Sequence, residues 1–148
     1  MRAGQPIWVV DASVGIKLFV PEEYSSEVLS FFKPSSSDEP DDIFVPDLFY
    51  AECANILWKY VHRVGYPFSE AKKDIAELKK INLITVSSVQ LMEKALELAL
   101  EWDITTYDAC YLALADQLKA PLLTADEKLL KRVKARHLRM VWIGDFKG

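Results

Sequence analysis

Residues 7–20, IWVVDASVGIKLFV, place one carboxylate, Asp11, in the middle of an otherwise almost wholly apolar run. The first four, IWVV, are apolar throughout and rich in β-branched side chains, the pattern of a short strand covered on both faces rather than one. A short helix is expected from about Ser13. A strand buried on both sides and followed at once by a helix is the opening unit of a parallel α/β sheet. Burying an unpaired carboxylate costs about several kcal/mol, so something must compensate Asp11.

The same alternation continues along the chain. After Pro21 a helix is expected over 22–32, then a Pro-, Ser- and acid-rich loop, KPSSSDEPDD. A long helix follows over 47–64, bounded by Pro46 and Gly65. Ser69 can cap a helix to about 80, LITV at 83–86 reads as a strand, and Ser87 with Gln90 has capping-box spacing for a helix to about 102. A helix over 106–118, a strand at 122–124, a helix from 127 and a strand at 141–143 complete the order. No repeat or interdomain linker interrupts it. The expectation is a single domain over 1–148, three-layer α/β/α with a central parallel sheet.

With 148 residues the chain is large enough for a substantial core, and half of its residues are hydrophobic. No apolar run is long enough to span a bilayer, and MRAGQPIWVV lacks a signal-peptide pattern, so a cytoplasmic protein is expected. The two cysteines, Cys53 and Cys110, lie in apolar helical patterns and read as buried free thiols, since two Cys cannot build a thiolate metal site. A net charge of −4 argues against coating nucleic acid by electrostatics alone. Charge is unevenly spread, however. SSSDEPDD at 35–42 is acidic, while KLLKRVKARHLR at 128–139 carries six Lys or Arg and no acid. That basic run is either a solvated helix face or, if it borders a phosphate-handling site, a guide for a nucleic-acid backbone.

In parallel sheets ligands gather outside the carboxyl ends of the strands, so acids at strand ends matter most. Asp11 closes IWVV and Asp126 closes LLTA. Each also precedes a helix, where Asp is a favoured N-cap. Asp108 sits in TTYDACYLALAD with Tyr111, Leu112 and Ala115 as its helical neighbours, which is not a solvated face. A capping box with Thr105 is the bland account. Glu52 lies in LFYAECANILWKYV, where Asn55, Lys59 and His62 or Arg63 continue a polar stripe. That stripe is either solvated or the flank of a site.

Taken together, VVDAS, VPDLFYAECANIL, TTYDACYLALA and LLTADEKLL, in this order and spacing, resemble the PIN-domain family, and most of all its VapC-like ribonuclease toxins. The resemblance covers about residues 7–143. It implies four acids in one site: Asp11, followed two residues on by Ser13; Glu52 of a P-x-x-x-x-E-x-x-N pattern, filled by Pro46, Glu52 and Asn55 with one extra residue; Asp108; and Asp126 of T-x-D, with Thr124. Ser13, Asn55 and Thr124 are the implied supports. Four converging carboxylates without His or Cys offer a hard all-oxygen site suited to Mg²⁺ or Mn²⁺ rather than Zn²⁺. Such a cation would balance Asp11 and let an acidic protein cut RNA.

The resemblance therefore implies a metal-dependent endoribonuclease, the toxin of a toxin–antitoxin pair. RNA is its substrate, a small antitoxin its partner and a homodimer its assembly. The basic run follows Asp126 directly, so its helix would begin beside such a site, and Lys128, Lys131, Arg132 and Lys134 are the expected contacts to the RNA backbone. The competing reading from another class is a catalytically silent PIN-like binding or scaffold module. Aspartyl-phosphate phosphatases need D-x-D, where this chain has Ser13, and a phospho-receiver needs an acidic pair that Asp11 lacks.

Overall fold

The computed structural model describes residues 6–32 and 41–146. It contains β1 (Ile7–Val10), α1 (Ala12–Gly15), α2 (Ser25–Phe32), β2 (Asp42–Pro46), α3 (Leu48–Val64), α4 (Phe68–Leu78), β3 (Ile84–Val86), α5 (Met92–Trp102), α6 (Thr106–Leu118), β4 (Leu122–Thr124), α7 (Glu127–Arg132) and β5 (Met140–Trp142). The strands form one parallel sheet in the order β3-β2-β1-β4-β5, with helices on both faces. The expected three-layer α/β/α architecture is borne out.

β1 is the strand at which the chain changes direction across the sheet, with β2 on one side and β4 on the other. Its register with β4 pairs Val9 with Leu122 and Val10 with Leu123, so the next step brings Asp11 level with Thr124. α6 lies over β1, β2 and β4, with α5 packed on it. Seven consecutive residues of α6, Ala109–Ala115, are buried, and this is why its pattern is apolar all round. Cys53 and Cys110 are free and buried within this core, as expected. No described helix is long and apolar enough to cross a membrane.

α1 approaches α3 closely because Gly15 has no side chain. A Cβ there would lie 2.6 Å from the Phe49 ring. Phe49 is fully buried in the first turn of α3, so this contact fixes the end of the helix that carries Glu52.

Four local readings need correction. A strand, β2, forms at Asp42–Pro46 where the sequence pattern suggested only the end of a loop and a helix boundary. Its segment IFVP is buried between β1 and β3, so long-range pairing rather than local signal makes it a strand. Ser87 does not cap a helix. A 3-10 turn covers Ser88–Leu91, and Asp47 at the end of β2 accepts the Ser88 N–H at 3.2 Å. Helix α4 begins after Pro67, which leaves Ser69 inside it. Finally, α7 ends at Arg132, so the basic run is helical only in its first half, and Lys134 lies beyond the helix. Residues 33–40, which hold most of the expected acidic loop, lie outside the described residues.

Candidate active site

Asp11 stands just past the end of β1 and is buried, with 6% of its surface exposed. One carboxylate oxygen accepts from the Ser13 hydroxyl at 2.5 Å and from the Val14 N–H at 3.2 Å, and so caps α1. The other accepts from the Thr124 hydroxyl. Both hydroxyls are held in turn: Thr124 Oγ1 accepts the Asp126 N–H and Ser13 Oγ accepts the Ala125 N–H, each at 3.0 Å. The ends of β1 and β4 are thus tied together through Asp11. Even so, burial outweighs these bonds and pushes the acid up to about 6.

Asp126 caps α7, one oxygen accepting the Leu129 N–H at 3.1 Å. The N-cap account is therefore true of both acids, but in each it occupies a single carboxylate oxygen. Asp108 is the third residue of α6, and its N–H is taken by Thr105 Oγ1 at 3.1 Å. Burial raises its carboxyl, the neighbouring Asp126 raises it further, and the Thr105 hydroxyl lowers it. Glu52 is half-buried and accepts a hydrogen bond from the Tyr111 hydroxyl at 2.6 Å. It too is raised, by burial first, against which the Tyr111 bond acts, and by the charge of Asp108. Asp108 also raises Asp11. The four acids thus form one electrostatic group with Asp108 at its centre.

No ion pair among the described residues neutralises any of the four. Nor are any three described acidic, His or Cys side chains arranged to hold a metal ion as they stand. The donor set nonetheless fits a hard cation. Mg²⁺ is usually held through one or two carboxylates and keeps several waters, so a ready-made protein cage is not required. Asp11, Glu52 and Asp108, raised by burial and by a neighbouring carboxylate, are the observation that favours one.

The expected supports divide. Ser13 and Thr124 bond directly to Asp11. Asn55 is exposed and makes no hydrogen bond to Glu52, and lies with it in a cleft along α3. Tyr111 is the neighbour the sequence reading passed over as an apolar residue. It is almost fully buried, and a buried phenol needs a polar partner, which is the signal that could have found it. Among the basic residues, Lys128 and Arg132 line a cleft together with Asp108 and Asp126, whereas Lys131 and Lys134 are exposed and outside it. Arg132 Nη1 is held by the Asp103 carbonyl at 2.5 Å and carboxylate at 3.4 Å.

The buried charge makes stability depend on pH. Asp11 binds its proton more tightly in the fold than in the unfolded chain, so its contribution falls as pH rises from about 4 through about 6 and stays lost above. A rise from 3.8 to about 6 corresponds to about 3 kcal/mol. In metal-free buffer, the stability of Asp11→Asn relative to the native chain should therefore improve by about that amount between pH 4 and pH 7. Denaturant titrations at the two pH values measure it; a constant difference would mean that Asp11 is not held in a charge-hostile place.

Comparison with known proteins gives a consistent picture. The sequence profile of the PIN domain matches residues 8–135. Ribonuclease VapC3 of Pyrobaculum aerophilum is 34% identical over 129 residues, which are 86% of this chain and 95% of that protein. Among solved structures, PAE2754 from Pyrobaculum aerophilum superposes with a TM-score of 0.68 at 21% identity, covering 95% of this chain and 92% of that one. A chain of a toxin–antitoxin complex from Klebsiella pneumoniae gives 0.62 at 17% identity, over 90% of this chain and 94% of that one.

Proposed function

The chain belongs to the PIN-domain family, and on that premise we propose that it is a divalent-metal-dependent endoribonuclease acting as the toxin of a toxin–antitoxin pair. The observation that carries this reading is the group of carboxylates at the carboxyl edge of the sheet, of which Asp11, Glu52 and Asp108 are raised by burial and by a neighbouring carboxylate, with no ion pair to any of the group among the described residues. Asp11, Glu52, Asp108 and Asp126 would hold Mg²⁺ or Mn²⁺. When bound, the cation supplies Lewis acidity and an acidified water for attack on a phosphodiester. Ser13 and Thr124 fix both oxygens of Asp11, and Tyr111 fixes Glu52. Lys128 offers a cationic contact for the RNA backbone beside Asp108 and Asp126.

Two exposed apolar features suit protein partners, an antitoxin and a second copy of this chain. One is Val89 in the 3-10 turn with the stripe Met92, Leu96 and Leu100 along α5; the other is a groove between α3 and α4 that includes Trp58, Val61 and Phe68.

Two measurements test the reading. Single-stranded RNA should be cut in Mg²⁺ or Mn²⁺ and left intact in EDTA; no cleavage in either metal would favour the silent scaffold. Replacing Lys128, Lys131, Arg132 and Lys134 together by Gln should weaken RNA binding and flatten its dependence on salt. Each lost phosphate contact lowers the log–log slope by about 0.7 on a single strand. With only Lys128 and Arg132 beside the acids, a drop of between about one and two units is expected. An unchanged slope would return the run to a solvated surface.

A further inference from the structure

One face of α3 carries Leu48, Glu52, Asn55, Ile56 and Lys59 at successive-turn spacing, and the first turn of α6 closes that face with Tyr107. The cleft between them is about 440 Å³, within the range of small-ligand sites. Tyr107 is 65% exposed, adds nothing to the core, and its hydroxyl has no hydrogen-bond partner among the described residues. Lys59, also exposed, has no ion pair there. Leu48 and Ile56 are half-buried and give the cleft an apolar floor. Glu52, one of the four acids, is half-buried in its lining. An open aromatic wall, an apolar floor, a free amide and a free cation therefore meet beside the candidate active site.

We propose that this cleft is a subsite for one unpaired base of single-stranded RNA, stacked on Tyr107, with Lys59 on the phosphate beyond it. The inference rests on the ribonuclease reading above and deepens it. Every base has a π-face, so a Tyr ring accepts any of them, and the base must be unpaired to reach it. Asn55 offers both a donor and an acceptor to a base edge. Lys59 stands seven residues beyond Glu52, about 10 Å along the helix, and so reaches the phosphate of a neighbouring nucleotide rather than the one being cut. The cleft would make the enzyme select single-stranded RNA.

A short single-stranded RNA with one 2-aminopurine provides the test, bound to the full chain in the Asp11→Asn background so that it stays intact, and cut by the otherwise native chain. Binding should quench the probe. Tyr107→Leu should abolish the quench, weaken binding at least about fivefold and raise KM. Tyr107→Phe, which keeps the ring, should behave as the parent. Lys59→Gln should lower the salt slope by about 0.7. Equal affinity and quench for the parent and Tyr107→Leu, while the native chain still cuts RNA, would overturn the subsite and leave the ribonuclease standing. A Tyr107→Leu chain that loses a protein partner but not RNA would give the cleft to that partner and overturn it too. A native chain that neither binds nor cuts RNA would sink both readings.

Discussion

Asp11→Asn should abolish RNA cleavage, lowering the rate about a thousandfold or more, while the chain stays folded. A bound cation contributes several kcal/mol of charge stabilisation in phosphodiester chemistry, and each 1.36 kcal/mol is worth a factor of about ten. Asp11 is the most deeply buried of the four acids and the one joined to both β1 and β4. Folding should survive because two effects oppose each other. The Ser13 and Thr124 hydroxyls both donate to Asp11 and both already accept a backbone N–H. An Asn amide nitrogen cannot accept from either, so one hydroxyl loses its partner at a cost of about 1–3 kcal/mol. Removing the buried charge returns about 3 kcal/mol at pH 7. A variant that cleaves within tenfold of the native rate at the same Mg²⁺ concentration would take Asp11 out of the chemistry.

Much of this arrangement is legible in the sequence, for identifiable reasons. IWVV and LLT are apolar on both faces because the sheet is parallel and covered twice, and each is followed by a polar cap, so strand, turn and acid can be read together. Asp108 stands out because its helix, α6, is buried nearly all round, and a carboxylate there has no ordinary reason to exist. What escapes reading is what depends on partners far along the chain. DIFVP has only three clearly strand-forming residues between an acidic stretch and a Pro, and it becomes β2 by pairing with both β1 and β3. Tyr111 looks like core until Glu52, 59 residues away, is found at its hydroxyl. The Ser87 capping signal gives a 3-10 turn instead: the Gln90 N–H goes to the Ser87 carbonyl rather than its hydroxyl, while Asp47, 41 residues away, takes the Ser88 N–H. The depth of the acids also lies beyond the sequence. Burial and the charge of Asp108 raise Asp11 and Glu52, while burial and the charge of Asp126 raise Asp108.

Asp108→Asn should separate a cap from a metal site in one pair of melts. Asn keeps the side-chain shape and leaves the Thr105 cap on the Asp108 N–H untouched, so the substitution chiefly removes charge. If Asp108 only complements the dipole of α6, losing that charge destabilises the chain by about 0.3–1 kcal/mol whether or not metal is present. The geometry argues the other way. Asp108 is raised by burial and by Asp126, and it raises Glu52 and Asp11 in turn, so at pH 7 its charge opposes the metal-free fold. The Asn variant should therefore melt higher than the native chain in EDTA and gain less from millimolar Mg²⁺, because one oxygen ligand has lost its charge. Its RNA cleavage should fall with the Mg²⁺ response, and saturating Mn²⁺ should restore little of it. A variant that melts lower in EDTA and responds to Mg²⁺ as the native chain does would make Asp108 a cap and no more. The group of four would then lose the residue through which Glu52, Asp11 and Asp126 are coupled.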